Sequence, residues 1–555
     1  MSDDALSESR IGRRSFIGGA VAAAVAAALP TRSASAAPPP ASSDSDRGIP
    51  APFELEEKTI AELQAGMKSG RYTAHSLVEQ YLGRIDALDQ RGPMLRHVIE
   101  TNPYALAIAD TLDTERKNGK VRGPLHGIPV LVKDNIDTAD RMTTTAGSLA
   151  LAGSRAAQDA FVIERLRAAG AIILGKTNLS EWANFRSTHS SSGWSARGGQ
   201  GRNPYALDRT PSGSSSGSAG ATAASYCAVA VGTETDGSVT SPSAACSLVG
   251  MKPTVGLVSR SGIIPIAHSQ DTAGPMARTV TDLAILLNAL AGTDARDPAT
   301  HAYHGKPNVD YTRYLLVDGL RGARIGVARK RYTGYNPHAD AALEAALHVM
   351  KSHGARIVDP ADITTAGQFD DAEYDVLLHE FKADLNAYLA MVPAAALPRT
   401  LADVIAFNRN HAGEEMPYFG QEIFEAAQKK GPLTSSSYRK ALDKCRTLSR
   451  KKGLDATFSK HRLDALVAPT QGPPSLIDLA NGDSSSGSST TPCAVAGYPA
   501  ITVPMGYAFG LPLGISFMGL PWQEPKLLKY AYAFEHATKV RRAPRYLATA
   551  DLRGE

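Results

Sequence analysis

Two serines and one lysine are the residues whose types and spacing could do chemistry together. Ser214 and Ser238 lie in residues 210–254, nearly half of which are Gly, Ser or Thr. Glycines permit turns that a Cβ forbids, and hydroxyls can relay protons or attack a carbonyl. Because the segment also encloses an apolar helix pattern and an apolar strand pattern, it differs from a surface linker and is typical of backbone that approaches a ligand closely.

The pattern between the two serines predicts the elements that position them. Residues 218–226 are small and Ala-rich, which predicts a tightly packed helix whose N-terminus faces the serine cluster. Residues 228–235 predict a short buried strand that runs into the loop 235–238. A loop at the end of a strand can direct successive N–H groups at one point, as an oxyanion hole requires.

A serine nucleophile needs a base, and Lys133 is the candidate. It follows the apolar run IPVLV at 128–132, which predicts a buried strand. Most lysines at strand ends are solvated surface charges. A buried lysine loses its proton more readily, however, and the neutral amine can then act as a base.

These residues carry a resemblance to a known family. The motifs are, in chain order, Lys133 after a strand, GSSSG at 213–217, GTETDGS at 232–238 and GMKPT at 250–254. Their order and spacing resemble the amidase signature family of serine amidohydrolases, and within it the bacterial peptide amidases most of all. The resemblance covers most of the chain, through residues 174–185, 269–279 and 494–506.

The resemblance implies a Ser-cisSer-Lys triad in which Lys133 is the base, Ser214 relays the proton and Ser238 is the nucleophile. It also implies a cis peptide bond between Gly213 and Ser214. The implied oxyanion hole consists of the backbone N–H groups of Thr235, Asp236, Gly237 and Ser238. The expected reaction is hydrolysis of a carboxamide C–N bond through an acyl-enzyme, and it requires no cofactor.

Three positions depart from the commoner family pattern. Asp236 stands where most members have glycine, and Thr240 stands where an arginine is common. Both departures resemble the peptide amidase branch, which implies linear amides, and C-terminal peptide amides in particular, as candidate substrates. Glu234 replaces the usual aspartate and keeps its charge on a longer side chain. Asp236 either stabilises the loop or binds substrate by accepting a hydrogen bond from a peptide N–H.

The beginning of the chain has the pattern of an export signal. Arg13 and Arg14 precede an apolar segment at 18–29, and residues 34–36 match a small-residue cleavage site. A membrane anchor would need about 20 apolar residues, whereas the apolar segment at 18–29 has only twelve. We therefore predict a twin-arginine signal peptide over 1–36, a disordered segment over 37–52 and an amidase domain over 53–555. These predictions imply a secreted or extracytoplasmic protein without a stable membrane anchor. Its expected partner during secretion is the export machinery.

Charge and cysteine content narrow the possible partners. The chain of 555 residues has a net charge of +4 without a basic block, so nucleic acid is not an expected partner. Its four cysteines are scattered, with neither a C-x-x-C nor a zinc spacing. We predict that all four are free and that there is no metal site. The expected partner is a small amide or peptide amide substrate.

Alternating strand and helix patterns predict an α/β fold. The predicted strands are 95–101, 128–132, 171–177, 228–235, 323–329, 355–358, 465–469, 500–504 and 513–519, and one predicted helix spans 156–169. The alternation indicates a large open mixed β-sheet covered by helices on both faces, and the resemblance implies the same amidase signature fold. The strand signal vanishes over 362–452, a helical region that either caps the substrate cleft or is ordinary packing.

Three other functions fit parts of the sequence. Residues 213–217 also match the G-x-S-x-G elbow of Ser-His-Asp esterases and hydrolases, which would make Ser215 the nucleophile. The preceding segment lacks strand character, and neither His268 nor His379 lies in a telling motif. The fold also resembles the amidase subunit of tRNA-dependent amidotransferases. A non-catalytic secreted binding protein could keep the same fold, but the complete implied triad argues against it.

Overall fold

A mixed sheet of eleven strands forms the centre of the protein. The computed structural model describes residues 52–302, 309–393, 397–484 and 487–553, all of which belong to one compact unit. The predicted signal peptide over 1–36 lies outside these ranges, as does all but the last residue of the predicted segment 37–52.

The strands follow the apolar runs of the sequence and are short. They are β1 (Val98–Thr101), β2 (Pro129–Lys133), β3 (Ile172–Thr177), β4 (Trp194–Ser195), β5 (Gly199–Gln200), β6 (Val229–Glu234), β7 (Val249–Lys252), β8 (Thr272–Ala277), β9 (Arg324–Val327), β10 (Arg356–Val358), β11 (Ala465–Pro469), β12 (Ala500–Ala508) and β13 (Leu511–Met518). β4 and β5 form a separate two-stranded ribbon. Every residue of β2, β3 and β6 is buried, as expected for strands covered on both faces.

The strand order of the large sheet is β1-β3-β2-β6-β8-β7-β12-β13-β11-β9-β10. β2 pairs in parallel with β3 and β6, whereas β6, β8, β7, β12, β13 and β11 pair antiparallel in succession. Parallel pairing brings the carboxyl ends of β2 and β6 to the same edge. The loops that follow these two strands can therefore form one site.

Helices flank the large sheet, and this combination of sheet and helices is the predicted mixed α/β fold. The α-helices are α1 (Ile60–Ser69), α2 (Ala74–Ile85), α3 (Ala105–Lys117), α4 (Phe161–Ala168), α5 (Ser216–Ala223), α6 (Thr240–Ala245), α7 (Val280–Leu290), α8 (Pro337–Ser352), α9 (Asp370–Met391), α10 (Leu401–Asn410), α11 (Ala412–Glu415), α12 (Glu422–Gln428), α13 (Ser436–Arg446), α14 (Asp455–His461), α15 (Thr491–Ala496) and α16 (Glu524–Thr538). One apolar core joins the sheet to α1, α2, α7, α8 and α16.

The structure corrects two details of the predicted elements. The helix predicted over 156–169 begins only at Phe161, because Asp159 and Ala160 make tertiary hydrogen bonds to residues 137–139 and Ala160 has the non-helical dihedrals φ −57° and ψ 148°. The strands β4, β5, β7 and β8 were not predicted, and β8 contains Gly and Pro, which have low strand propensity. Its pairing with β6 on one side and β7 on the other overrides that propensity.

The described residues between 362 and 452 contain helices and no strand. They pack through a second apolar cluster against residues 146–185. A buried ionic group holds the same interface, in which Arg186 pairs with Glu181 and Glu415, and Glu415 also accepts a hydrogen bond from Ser148 Oγ at 3.0 Å. Whether this region sets substrate specificity as a cap stays a prediction.

The cysteines and the helix lengths complete the description of the fold. All four cysteines are free and buried, which confirms that prediction. Among the described residues, none of the helices combines the length and apolar composition required to cross a bilayer.

Candidate active site

Lys133 ends β2 in the interior of the sheet and is fully buried. Its Nζ lies 2.7 Å from Ser214 Oγ and 2.8 Å from Thr233 Oγ1. Burial lowers the pKa of Lys133 to about 7, although the nearby carboxylates of Asp271 and Glu234 act in the opposite direction. Near neutral pH a large fraction of this lysine is therefore an uncharged amine that can accept a proton.

Ser214 occupies the turn before α5 and is also fully buried. The peptide bond between Gly213 and Ser214 is cis, as the family resemblance implies. A Cβ at Gly213 would lie 2.2 Å from Ser180 Oγ, so a side chain does not fit at this turn. The sequence thus places a serine hydroxyl directly against the lysine amine.

Ser238 lies in the loop between β6 and α6 and is 8% exposed. The N–H of Ser215 donates to the carbonyl of Ser238 at 3.1 Å, which holds the two serine-bearing loops side by side. Within the described part of the chain, the hydroxyls of Ser214 and Ser238 do not hydrogen-bond to each other.

The loop amides divide into two groups. The N–H of Gly237 donates to Glu234 Oε1 at 3.0 Å. The N–H groups of Thr235, Asp236 and Ser238 have no acceptor among the described residues. The predicted oxyanion hole stays a prediction: the N–H of Gly237 is engaged by a carboxylate, while the other three donors are available to a ligand.

Glu234 organises the nucleophile loop, a role that sequence reasoning missed. Its carboxylate accepts hydrogen bonds from the N–H groups of Gly237, Val239 and Thr240 at 2.8–3.0 Å. Hydrogen bonds to a charged acceptor are among the stronger ones in proteins. Because two of these donors flank Ser238, the carboxylate holds the predicted nucleophile in place. The only signal in the sequence was the departure from aspartate.

We expect Glu234→Gln to lower kcat/KM about 100-fold on every amide, because an amide group can satisfy only part of this donor set and each charged bond contributes about 1.5–3 kcal/mol. Steady-state kinetics on a peptide amide and on a simple aliphatic amide, with the Tm, would measure this. Thr240→Val is the matched control, since it removes only the hydroxyl bond to Glu234. Wild-type turnover in Glu234→Gln would contradict the role.

Asp236 is half-buried within the loop 235–238, two residues before the predicted nucleophile. Thr490 Oγ1 donates to its Oδ1 at 2.5 Å, which ties the loop to the segment before α15. Burial raises the pKa of Asp236 to about 6, although hydrogen bonds from Thr490 and Thr491 act in the opposite direction. These contacts support the loop-stabilising interpretation, while a carboxylate with four lone-pair positions keeps acceptor capacity for a substrate N–H.

The alternative nucleophile, Ser215, has a different environment. Its Oγ donates to the carbonyl of Thr233 at 3.1 Å and accepts from the N–H of Thr233 at 3.2 Å. The hydroxyl is therefore engaged in fastening α5 to β6. His268 and His379 are engaged elsewhere, through Asp384 and the carbonyl of Asp375. The geometry does not favour a Ser-His-Asp arrangement around Ser215.

Comparison with known proteins identifies the family of the chain. The family model described as Amidase matches residues 76–528. The chain belongs to the amidase signature family. It is an amidase, a hydrolase acting on C–N bonds, and it has the family's mixed α/β fold.

Three relatives illustrate the range of the family. The chain is 42% identical to a probable amidase of Arabidopsis thaliana, over 91% of this chain and 95% of that protein. It is 36% identical to a glutamyl-tRNA(Gln) amidotransferase subunit of Chloroflexus aurantiacus, over 88% of this chain and 98% of that protein. The crystal structure of native peptide amidase from Stenotrophomonas maltophilia superposes with a TM-score of 0.86 at 50% identity, covering 89% of this chain and all of that one.

One group of side chains has the composition of a metal site. Ligand atoms of His268, Glu380 and Asp384 lie within 4.8 Å of one another. The Glu380 carboxylate already accepts hydrogen bonds from Tyr438 and Ser269, and Asp384 pairs with His268. The protein itself thus satisfies these groups. The predictions that there is no metal site and that no cofactor is required stay predictions.

Proposed function

We propose that the protein hydrolyses linear amides, and in particular the C-terminal carboxamide of peptides, through an acyl-enzyme on Ser238. The observation that carries this proposal is the 2.7 Å contact between the buried Lys133 amine and Ser214, in the loop that lies against that of Ser238. The name of the structural relative, peptide amidase, supports the choice of substrate. So does Asp236, which stands close to the nucleophile.

The reaction begins with proton transfer. Neutral Lys133 accepts the hydroxyl proton of Ser214, and Ser214 takes that of Ser238. Ser238 Oγ then bonds to the carbonyl carbon, and the available N–H groups of Thr235, Asp236 and Ser238 hold the oxyanion. When the proton returns through Ser214 to the nitrogen, the C–N bond breaks and ammonia leaves. Water hydrolyses the acyl-enzyme by the same relay.

A substrate panel tests this function. Ammonia or amine release would be measured from peptide amides, simple aliphatic amides, anilides and esters. We expect the largest kcat/KM on peptide amides. Preference for esters, or inactivity on all amides, would overturn the proposal. Since one relative is part of a tRNA-dependent amidotransferase, release of ammonia by the isolated chain without tRNA distinguishes a self-sufficient amidase from a component of an assembly.

We expect Asp236→Asn to shift the preference for peptide amides over small aliphatic amides by about ten-fold, because a hydrogen bond to a charged group contributes about 1.5–3 kcal/mol. The ratio of the two kcat/KM values would be measured at pH 8, above the raised pKa of Asp236. The control is Thr490→Val, which removes the loop contact but keeps the carboxylate. An equal loss on both substrates in both variants would mean that Asp236 only holds the loop.

We also propose that the protein is exported by the twin-arginine route. Arg13 and Arg14 before a short apolar run support this. Replacement of both by lysine should keep the full-length precursor inside the cell, as measured by fractionation and by N-terminal sequencing of the extracytoplasmic form. Unchanged export of the double variant would contradict the proposal.

A further inference from the structure

A cavity of about 230 Å³ lies beside the proposed catalytic residues. Asn135, Thr233 and Thr235 form its inner wall. The lining residues His268 and Arg296 are exposed, so the cavity opens to solvent on its other side. It therefore connects the surface with the residues that surround the lysine.

The cavity reaches the surroundings of the lysine amine through Thr233, whereas Lys133, Ser214 and Ser238 are not among the described residues that line it. Thr233 forms part of its wall, and Thr233 Oγ1 is also a direct hydrogen-bond partner of Lys133 Nζ. Lys133 in turn contacts Ser214. Because this relay must protonate the leaving nitrogen, any substituent on that nitrogen has to lie on the same side as Ser214 and Lys133.

We propose that this cavity is the subsite for the leaving amine, so that the protein hydrolyses secondary amides with a small apolar N-substituent as well as primary amides. This inference rests on the proposed acyl-enzyme mechanism. Ser238 Oγ bonds to the carbonyl carbon, the C–N bond breaks, and the proton taken from Ser238 goes to the nitrogen, which leaves as a neutral amine. Water then displaces Ser238 from the acyl carbon and releases the acid.

The lining of the cavity suits an amine with an alkyl group. Three isoleucines, Ile263, Ile264 and Ile266, form an apolar part of its wall and are buried. Asn135 donates from Nδ2 to Thr233 Oγ1 at 3.0 Å, whereas its buried Oδ1 has no partner among the described residues. A side-chain carbonyl without a donor is costly to bury, and the N–H of a departing amine can supply that donor.

The charges of the lining argue for a neutral leaving group. Arg260 Nε donates to Asp297 Oδ2 at 2.9 Å, and His268 Nδ1 lies 2.8 Å from Asp384 Oδ2. These ionic groups are thus paired with each other. Asp271 also lines the cavity and accepts hydrogen bonds from Thr235 Oγ1 and from the N–H groups of Ile266 and Ala267, so the carboxylate of a departing amino acid would meet its like charge. The geometry favours an alkylamine over an amino acid.

The test compares leaving groups on one blocked amino acid, as its primary, N-methyl and N-butyl amides. For the wild-type protein we expect kcat/KM on the N-butyl amide to equal or exceed that on the N-methyl amide, by up to about ten-fold, since burial of each methylene is favourable. A kcat/KM on the N-butyl amide about 100-fold lower than that on the N-methyl amide would contradict the assignment of the cavity as the leaving-amine subsite. Inactivity on the primary amide as well would instead overturn the proposed function.

A second measurement requires no variant. Added butylamine should intercept the acyl-enzyme and form the N-butyl amide, and the yield should saturate with amine concentration if the amine binds before it reacts. A strictly linear dependence would contradict a binding site.

A cavity-filling variant and a matched control complete the test. Ile264→Trp should lower the N-butyl to N-methyl ratio of kcat/KM by about ten-fold and make aminolysis linear. The control is Ser475→Trp, which fills a separate cavity of about 180 Å³ next to Ser212. We expect this control to keep the wild-type ratio. An equal change of the ratio in both variants would contradict the assignment of the leaving amine to the isoleucine-lined cavity.

Discussion

Replacement of Ser238 by alanine is expected to lower kcat by at least about 10⁴-fold, because removal of a serine nucleophile abolishes the covalent route and leaves only binding and oxyanion stabilisation. The acyl-enzyme should disappear with the activity. Intact-protein mass spectrometry after quenching with a slow ester or amide would show a single acyl group on the wild-type chain and none on Ser238→Ala.

Ser215→Ala is the matched control for this experiment. It removes a neighbouring hydroxyl that bonds the backbone of Thr233, so we expect some loss of stability but continued formation of the acyl-enzyme. Peptide mapping would locate the acyl group. If it were found on Ser215, or if Ser238→Ala kept its turnover, the Ser-His-Asp alternative would replace the lysine mechanism.

Lys133→Ala is expected to lower kcat/KM about 10²–10⁴-fold, the usual contribution of a general base. In the wild-type protein the base must be neutral, and burial lowers the pKa of Lys133 to about 7. Activity should therefore rise about ten-fold per pH unit below this pKa and level off above it. The pH profile of kcat/KM measures this rising limb below the pKa, and the profile of Lys133→Ala should lack it.

Two controls separate the charge of Lys133 from its basicity. Lys133→Arg keeps a cation that does not lose its proton and should be as inactive as the alanine variant. Lys176→Met removes another buried strand-end lysine, which donates to the carbonyl of Ile136 and to Thr144, and should keep the pH limb. Near-native turnover in Lys133→Ala would exclude this residue as the base.

The sequence by itself determined the central strands and the residue types of the proposed site. Buried strands leave apolar runs, so the predicted ends of β2, β3 and β6 lie within one residue of the observed ends. Lys133, Ser214 and Ser238 belong to local motifs whose order resembles one family, and the structure places Lys133 and Ser214 in contact. Apolar runs and short motifs can be recognised in the sequence because they consist of residues that are close together in the chain.

The tertiary structure alone decided which groups those residues meet. Gly237 was an expected oxyanion donor, but its N–H is taken by Glu234, whose side chain folds back beneath the loop. The partner of Asp236 is Thr490, 254 positions away in the chain, and the leaving-amine cavity is built from segments near residues 135, 233, 264 and 384. Hydrogen-bond partners and cavity walls depend on side-chain direction and on contacts between distant segments, and neither leaves a local pattern in the sequence.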